Sequence, residues 1–130
     1  MIRARLTALS TSRSYWERRY RNGGDSGPGS HGRLAEFKAR ILNAFVAENG
    51  VRTVVEFGCG DGTQLSLANY PSYLGLDVSK TALAMCQSRF AGDTTKRFAR
   101  YPYIDPGVHD LALSMDVIYH WSRTRPSRPT

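Results

Sequence analysis

Thr53-Val54-Val55-Glu56-Phe57-Gly58-Cys59-Gly60-Asp61-Gly62-Thr63 is the stretch whose reading decides the fold. A β-branched and apolar run ends in an acid, glycines then occupy alternate positions, and a polar residue opens the next segment. Apolar strand, tight glycine turn and helix start are how a doubly wound α/β fold brings its backbone close to a nucleotide-like ligand. Glycine at 58, 60 and 62 removes the side chains that would hold such a ligand away.

On the C-terminal side, Thr63 to Ala68 is predicted as a short helix carrying Leu65 and Leu67. Tyr73 to Asp77 is a second strand that also ends in an acid. Ser79 is a good N-cap for a helix from Lys80 to about Phe90, with Leu83, Cys86 and Phe90 on its inner face. Lys96 to Arg100 is a third strand around Phe98. Tyr101 to Gly107 is turn-like, with two prolines and a glycine. Asp110 to Met115 is a fourth, buried strand that runs into Asp116-Val117-Ile118-Tyr119-His120. Strands alternating with helices at these spacings imply a parallel sheet with right-handed crossovers.

On the N-terminal side, Arg33 to Asn49 has Leu34, Phe37, Ile41 and Phe45 at three- and four-residue steps, widened by Leu42 and Val46. The spacing predicts a core-packing helix without chemistry, stopped at Asn49-Gly50. Before it, residues 22–32 hold five glycines and a proline, which suits a flexible linker or a loop that folds over a ligand. Ser14 to Arg21 places Trp16 and Tyr20 four apart on one face of a short helix.

Composition removes several classes. With 130 residues there is room for one domain, and 41% hydrophobic against 22% charged residues is ordinary globular composition. No apolar run reaches the roughly 20 residues that span a bilayer. The net charge of +7 invites a nucleic-acid partner, but Arg123, Arg125 and Arg128 in the acid-free terminal octet account for three of it, leaving +4. The remaining cations are spread and not interleaved with aromatics. Cys59 and Cys86 have neither the number nor the spacing of a disulfide framework or a zinc site, so no metal is expected and a reducing cytoplasm is the default. Residues 1–13, basic and free of acids, read as a flexible N-terminus, and 121–130 as a disordered tail.

Two acids carry the chemistry of the central turn. Asp77 lies nineteen residues after Gly58 at the end of the second strand, where an acid accepts hydrogen bonds from ribose hydroxyls. Glu56 immediately before the turn repels a pyrophosphate, and suits a ligand with a cationic amine and no phosphate.

The chain resembles the class I S-adenosylmethionine-dependent methyltransferases. Residues Glu56 to Gly62, Tyr73 to Ser79 and Asp110 to His120 match that family's first, second and fourth motifs in order, and Trp16 to Phe37 is similar to the N-terminal part of a bacterial subgroup. The resemblance implies a Rossmann-like sheet of strand order 3-2-1-4 with flanking helices, and S-adenosylmethionine as cofactor. It implies that Gly58, Cys59, Gly60 and Gly62 line the methionine and ribose portion and that Glu56 lies near the methionine ammonium. Asp77 would bind the ribose hydroxyls and Val78 would pack on adenine. Asp105 is the candidate for the adenine contact after the third strand, with Tyr101 beside it and Asp93 behind them. Ser114 and Met115 would end the fourth strand beside the sulfonium. Residues Gly24 to Ser30 would cover the cofactor.

Methyl transfer is a displacement that depends largely on alignment, and a base is needed only where the acceptor must lose a proton. Asp116 and His120 are the candidates. Asp116 reads equally well as the cap of a following helix, and His120 reads more readily as a packing or surface residue.

Family members have seven strands in the order 3-2-1-4-5-7-6. The resemblance thus implies that residues 14–120 hold the cofactor half, with the fourth strand an open apolar edge available for self-association. Three roles follow: a methyltransferase of unassigned acceptor, a non-catalytic module that binds S-adenosylmethionine or pairs through that edge, and, on charge alone, a nucleic-acid binder. Subgroup members commonly continue after Tyr-His with Leu-Val-Glu-Asp-Glu-Val. Loss of one C from codons for that continuation reads His-Trp-Ser-Arg-Thr-Arg, as residues 120–125 do. The tail is therefore expected to be frameshifted. Sequencing the gene checks this: the neighbouring frame should continue with an acidic, helix-patterned stretch, and its absence refutes the expectation.

Overall fold

The computed structural model describes residues 14–15, 17–25 and 31–115. Trp16, Asp116 and His120, most of the Gly/Ser loop and both terminal segments lie outside the described residues. Four strands form one parallel sheet in the order β3-β2-β1-β4: β1 Thr53–Phe57, β2 Ser72–Asp77, β3 Lys96–Arg100 and β4 Leu111–Leu113. The order is the one that the methyltransferase resemblance implies. The short β4 is less than the strand expected from Asp110 to Met115.

Alternation along the strands divides the sheet into two faces. Val54, Tyr73 and Leu113 point to one face, where they form a buried cluster with Val46, Leu65, Tyr70, Leu83 and Cys86. Helix α1 (Gly32–Glu48) reaches this cluster through Val46, and helix α2 (Lys80–Arg89) through Leu83 and Cys86. Val55, Leu74 and Leu76 form a second cluster on the other face, joined by Phe57, Ala99 and Tyr101. The strands buried on both sides are β-branched and leucine-rich, as central parallel strands need to be.

The caps fit the sequence. Ser79 occupies the N-cap of α2, and its hydroxyl accepts the Ala82 N–H at 3.1 Å. Asp110 fastens the start of β4 to the start of β1: one carboxylate oxygen accepts the N–H groups of Arg52 and Thr53 at 2.8 and 3.1 Å. The Thr53 hydroxyl accepts the Asp110 N–H in return. These bonds from Arg52 and Thr53 hold the Asp110 carboxyl below its usual pKa.

Two expectations are corrected. After the glycine turn only a 3-10 turn forms, Leu65–Leu67, with Leu65 buried and Leu67 exposed. Only four residues, Ala68 to Pro71, separate this turn from β2 at Ser72, which leaves no room to extend it into a full helix. The second correction concerns α1. Leu34, Phe37, Ile41 and Phe45 are 45–53% exposed; of the expected stripe Val46 is buried and Leu42 packs on the core, and Ala35 and Ala39 are buried in place of the large residues. Small residues at 35 and 39 allow close approach to the 3-10 turn, where Asn43 donates to the Leu67 carbonyl and Gln64 donates to the Ala35 carbonyl, both at 3.0 Å. The periodicity was apolar around both flanks, and docking took the smaller side chains.

This predicts an inversion of the usual ranking. Phe37→Ser should change the unfolding free energy in urea by no more than about 0.5 kcal/mol. Leu83→Ala should cost about 2–5 kcal/mol. Similar losses for both would show that the α1 stripe is buried in solution.

Candidate functional site

In a parallel sheet every strand ends at the same edge, so β1, β2 and β4 deliver their following residues to one place. Gly58 to Gly62 follow β1, Asp77 closes β2 ahead of Val78, and Ser114 and Met115 follow β4. The structure thus brings together Glu56, Gly58, Cys59, Gly60, Gly62, Asp77, Val78, Ser114 and Met115. Asp116 and His120 lie beyond the described residues.

The glycine turn is built by positive backbone angles at Gly58, Gly60 and Gly62, with φ of 85°, 62° and 84°. Residues with a Cβ pay roughly 1–2 kcal/mol there. The turn then directs its amides inward. The N–H groups of Gly58 and Cys59 both donate to the Leu76 carbonyl, at 2.7 and 3.0 Å, and the Gly60 N–H donates to Asp77 Oδ2 at 2.9 Å. A phosphate nest needs such amides aimed outward at the ligand. Here three successive donors are spent on the end of β2.

Asp77 is buried, and its other oxygen accepts the Ser79 N–H at 2.9 Å. Burial pushes its pKa up; the N–H groups of Ser79, Gly60 and Val78 pull it back, and the negative charge of Glu17 adds to the rise. An ionised carboxylate offers about four acceptor sites, so these backbone bonds leave acceptor capacity for hydroxyl donors.

Glu56, on the same face of the sheet as Asp77, is buried beneath the turn, where one of its oxygens accepts the Tyr73 hydroxyl at 2.5 Å. Burial and the neighbouring Glu56 charge push the Tyr73 phenol well up, so it stays a donor. Tyr70 stacks on Tyr73 with ring centroids 5.8 Å apart and closes the pocket of the acid.

Cys59 is buried in the turn. Its hydrogen-bond contact with Cys86 and its burial raise its pKa, keeping it a neutral thiol rather than a nucleophile. Gly62 serves packing as well as the turn, since a Cβ there would come within 2.8 Å of the Phe90 ring.

The adenine candidates are placed differently from one another. Tyr101 follows β3 at the site edge; its N–H donates to the Asp77 carbonyl at 2.9 Å and its ring packs edge-on against Phe57. Asp105 is exposed, and its carboxylate accepts the Gly107 N–H at 2.9 Å. Asp93 precedes β3 and so lies at the opposite edge, bound to Thr95 and Lys96. Among the described residues no His/Cys/Asp/Glu group could hold a metal ion.

Sequence reasoning missed Glu17, whose carboxylate reaches Thr81 in the first turn of α2. No spacing signal marks a contact across 64 residues. It also passed over Asp61, which is buried and accepts the Thr63 N–H at 3.0 Å.

The family profile described as "Methyltransferase domain" matches residues 55–128, more than half of the chain. The chain belongs to that methyltransferase domain family. Mouse EEF1A lysine methyltransferase 4 (Mus musculus) is 31% identical over 81 residues, which is 59% of this chain and 31% of that protein. Two solved methyltransferases share the fold. Magnesium protoporphyrin IX methyltransferase (ChlM) from Synechocystis PCC 6803, with bound SAM, superposes with a TM-score of 0.62 at 19% identity, covering 87% of this chain and 64% of that one. SAM-bound CalS10, an amino pentose methyltransferase from Micromonospora echinaspora, gives 0.54 at 22%, covering 66% and 38%. This methyltransferase domain chain therefore spans about a third of the curated relative and less than two thirds of these two structures.

The geometry of the turn is testable without a ligand. Gly60→Ala forces a side chain into the left-handed region and disturbs the amide held by Asp77. It should lower stability by about 1–2 kcal/mol, measured by thermal or urea unfolding. An unchanged midpoint would mean that the turn adopts another conformation in solution.

Proposed function

We propose that this chain is the cofactor-binding part, residues 14–120, of an S-adenosylmethionine-dependent methyltransferase of unassigned acceptor. The inward-turned amides between two buried acids carry this reading. Such a site has lost its phosphate-binding donors and kept acceptors for hydroxyls and for a cationic amine. S-adenosylmethionine has a ribose, an ammonium and a sulfonium, and no phosphate. When bound, it supplies an electrophilic methyl group for displacement by the acceptor.

In this reading Asp77 accepts the two ribose hydroxyls, and Gly58 and Gly60 let the methionine and ribose lie against the backbone. Cys59 and Gly62 shape the turn. Glu56, fixed by Tyr73, faces the ammonium through water. Val78 and Tyr101 flank the adenine, with Asp105 beyond them. Ser114 and Met115 line the path to the methyl group. Asp116 or His120 takes a proton where the acceptor has one to lose. Two buried thiols without a disulfide suit a reducing cytoplasm. No helix among the described residues is long and apolar enough to cross a membrane.

A second reading has one observation in its favour. β4 is paired with β1 on one side only among the described residues, and an open edge of this kind can pair with another strand. Self-association through β4 would give a dimer in sedimentation that Ala112→Pro converts to monomer.

Calorimetric titration with S-adenosylmethionine tests the main proposal. Saturable binding is expected, weakened about tenfold to a hundredfold in Asp77→Ala, the loss for hydrogen bonds to a charged group. The ligand hydroxyls favour ionised Asp77, whose pKa is raised above 3.8. Affinity should therefore be full above that raised value and fall as the pH drops through it. Folded protein that does not bind at all defeats the proposal.

A further inference from the structure

We propose that Glu17 is a positioning residue of this site. It fastens the N-terminal segment 14–25 across the corner where Asp77 meets α2, so that ligand occupancy and docking of the segment reinforce each other. The coupling rests on the reading of that corner as the ribose side of a cofactor site.

Glu17 lies 64 residues from its partner. One carboxylate oxygen accepts the Thr81 hydroxyl at 2.6 Å and the other takes the Thr81 N–H at 3.4 Å. Thr81 is the second residue of α2, where backbone N–H groups have no partner within the helix. Ser79 already caps Ala82 from within the chain, so Glu17 acts as a second cap brought from outside. The positive end of the helix favours a negative charge there.

The segment is seated, not merely tethered. Tyr20, one helical turn beyond Glu17, is 4% exposed. Arg21 lies 3.6 Å from the Glu17 carboxylate. At the far end Arg19 pairs with Asp25 at 3.1 Å, and the other Asp25 oxygen meets His31 at 3.0 Å, which ties the segment to the start of α1.

Partial burial works against the Glu17 charge, yet hydrogen bonds from Ser79 and Thr81 and the Arg21 cation hold its pKa below the ordinary value. That charge in turn raises Asp77. Docking therefore places a second negative charge near Asp77, which a hydroxyl donor on Asp77 relieves. Binding free energies are reciprocal, so the docked segment strengthens ligand binding by the factor by which ligand strengthens docking.

Trypsin and calorimetry test the two halves separately, because Arg18 and Arg21 are exposed cleavage sites within the segment. In wild-type chain, saturating S-adenosylmethionine should slow cleavage at these arginines. Glu17→Ala should speed cleavage without ligand and weaken binding about fivefold or more. Thr81→Val should do the same, and the double variant should be no worse than either single one. Circular dichroism should be unchanged in all three. Glu17→Ala that cleaves no faster overturns the docking role. Faster cleavage with unchanged affinity, or strictly additive effects of the two substitutions, overturns the coupling. Folded wild-type chain that does not bind overturns the cofactor reading and the coupling with it, while the cleavage comparison still decides whether Glu17 holds the segment.

Discussion

The Asp77 carboxylate is the constraint on which the rest of the site depends. It is buried at the end of β2, where an ionised group is expensive unless its acceptor capacity is used. One oxygen takes the Gly60 amide from the turn after β1, and the other takes the Ser79 amide from the corner entering α2. A single side chain thus joins two loops from different strands. The turn can present its Gly60 amide there because glycine adopts the positive backbone angles at 58, 60 and 62 without the cost that a Cβ brings.

That arrangement separates this turn from the phosphate-binding turns that it resembles in sequence. In both, glycines bring backbone and ligand together. Here the donors of Gly58, Cys59 and Gly60 face the end of β2, and the buried acids Glu56 and Asp77 lie beside the turn. Electrostatics then disfavours anions and favours hydroxyls and a cation. The methyltransferase domain family, to which the chain belongs, uses a methyl donor of that chemical kind. The aromatic stack beneath the turn belongs to the same logic, since Tyr73 can satisfy Glu56 only because Tyr70 and Phe98 hold its ring in place.

How much was legible depended on how local the cause was. The strand ending in Glu56-Phe57, the alternating glycines, the acid at 77 and the Ser79 cap are each set by a few neighbouring residues, and all were readable. The third strand was readable although polar: it is centred on Phe98, and its bounds fall where expected. The face that α1 buries was not. An apolar stripe of large residues predicts burial, but docking against the Leu65–Leu67 turn requires close approach, and Ala35 and Ala39 provide it. Asp93 looked like a site candidate by position along the chain; parallel topology sends the start of β3 to the far edge of the sheet.

By itself the sequence determined the alternation of elements, a parallel sheet with right-handed crossovers, and the glycine turn with its two acids. These follow from periodicity, backbone sterics and short-range capping, which act over a few residues. Only the tertiary structure decided which way the turn's amides point, which flank of α1 is buried, and that Glu17 reaches the first turn of α2. Those depend on groups between 17 and 64 residues apart in the chain meeting in space, and no local pattern encodes such a meeting.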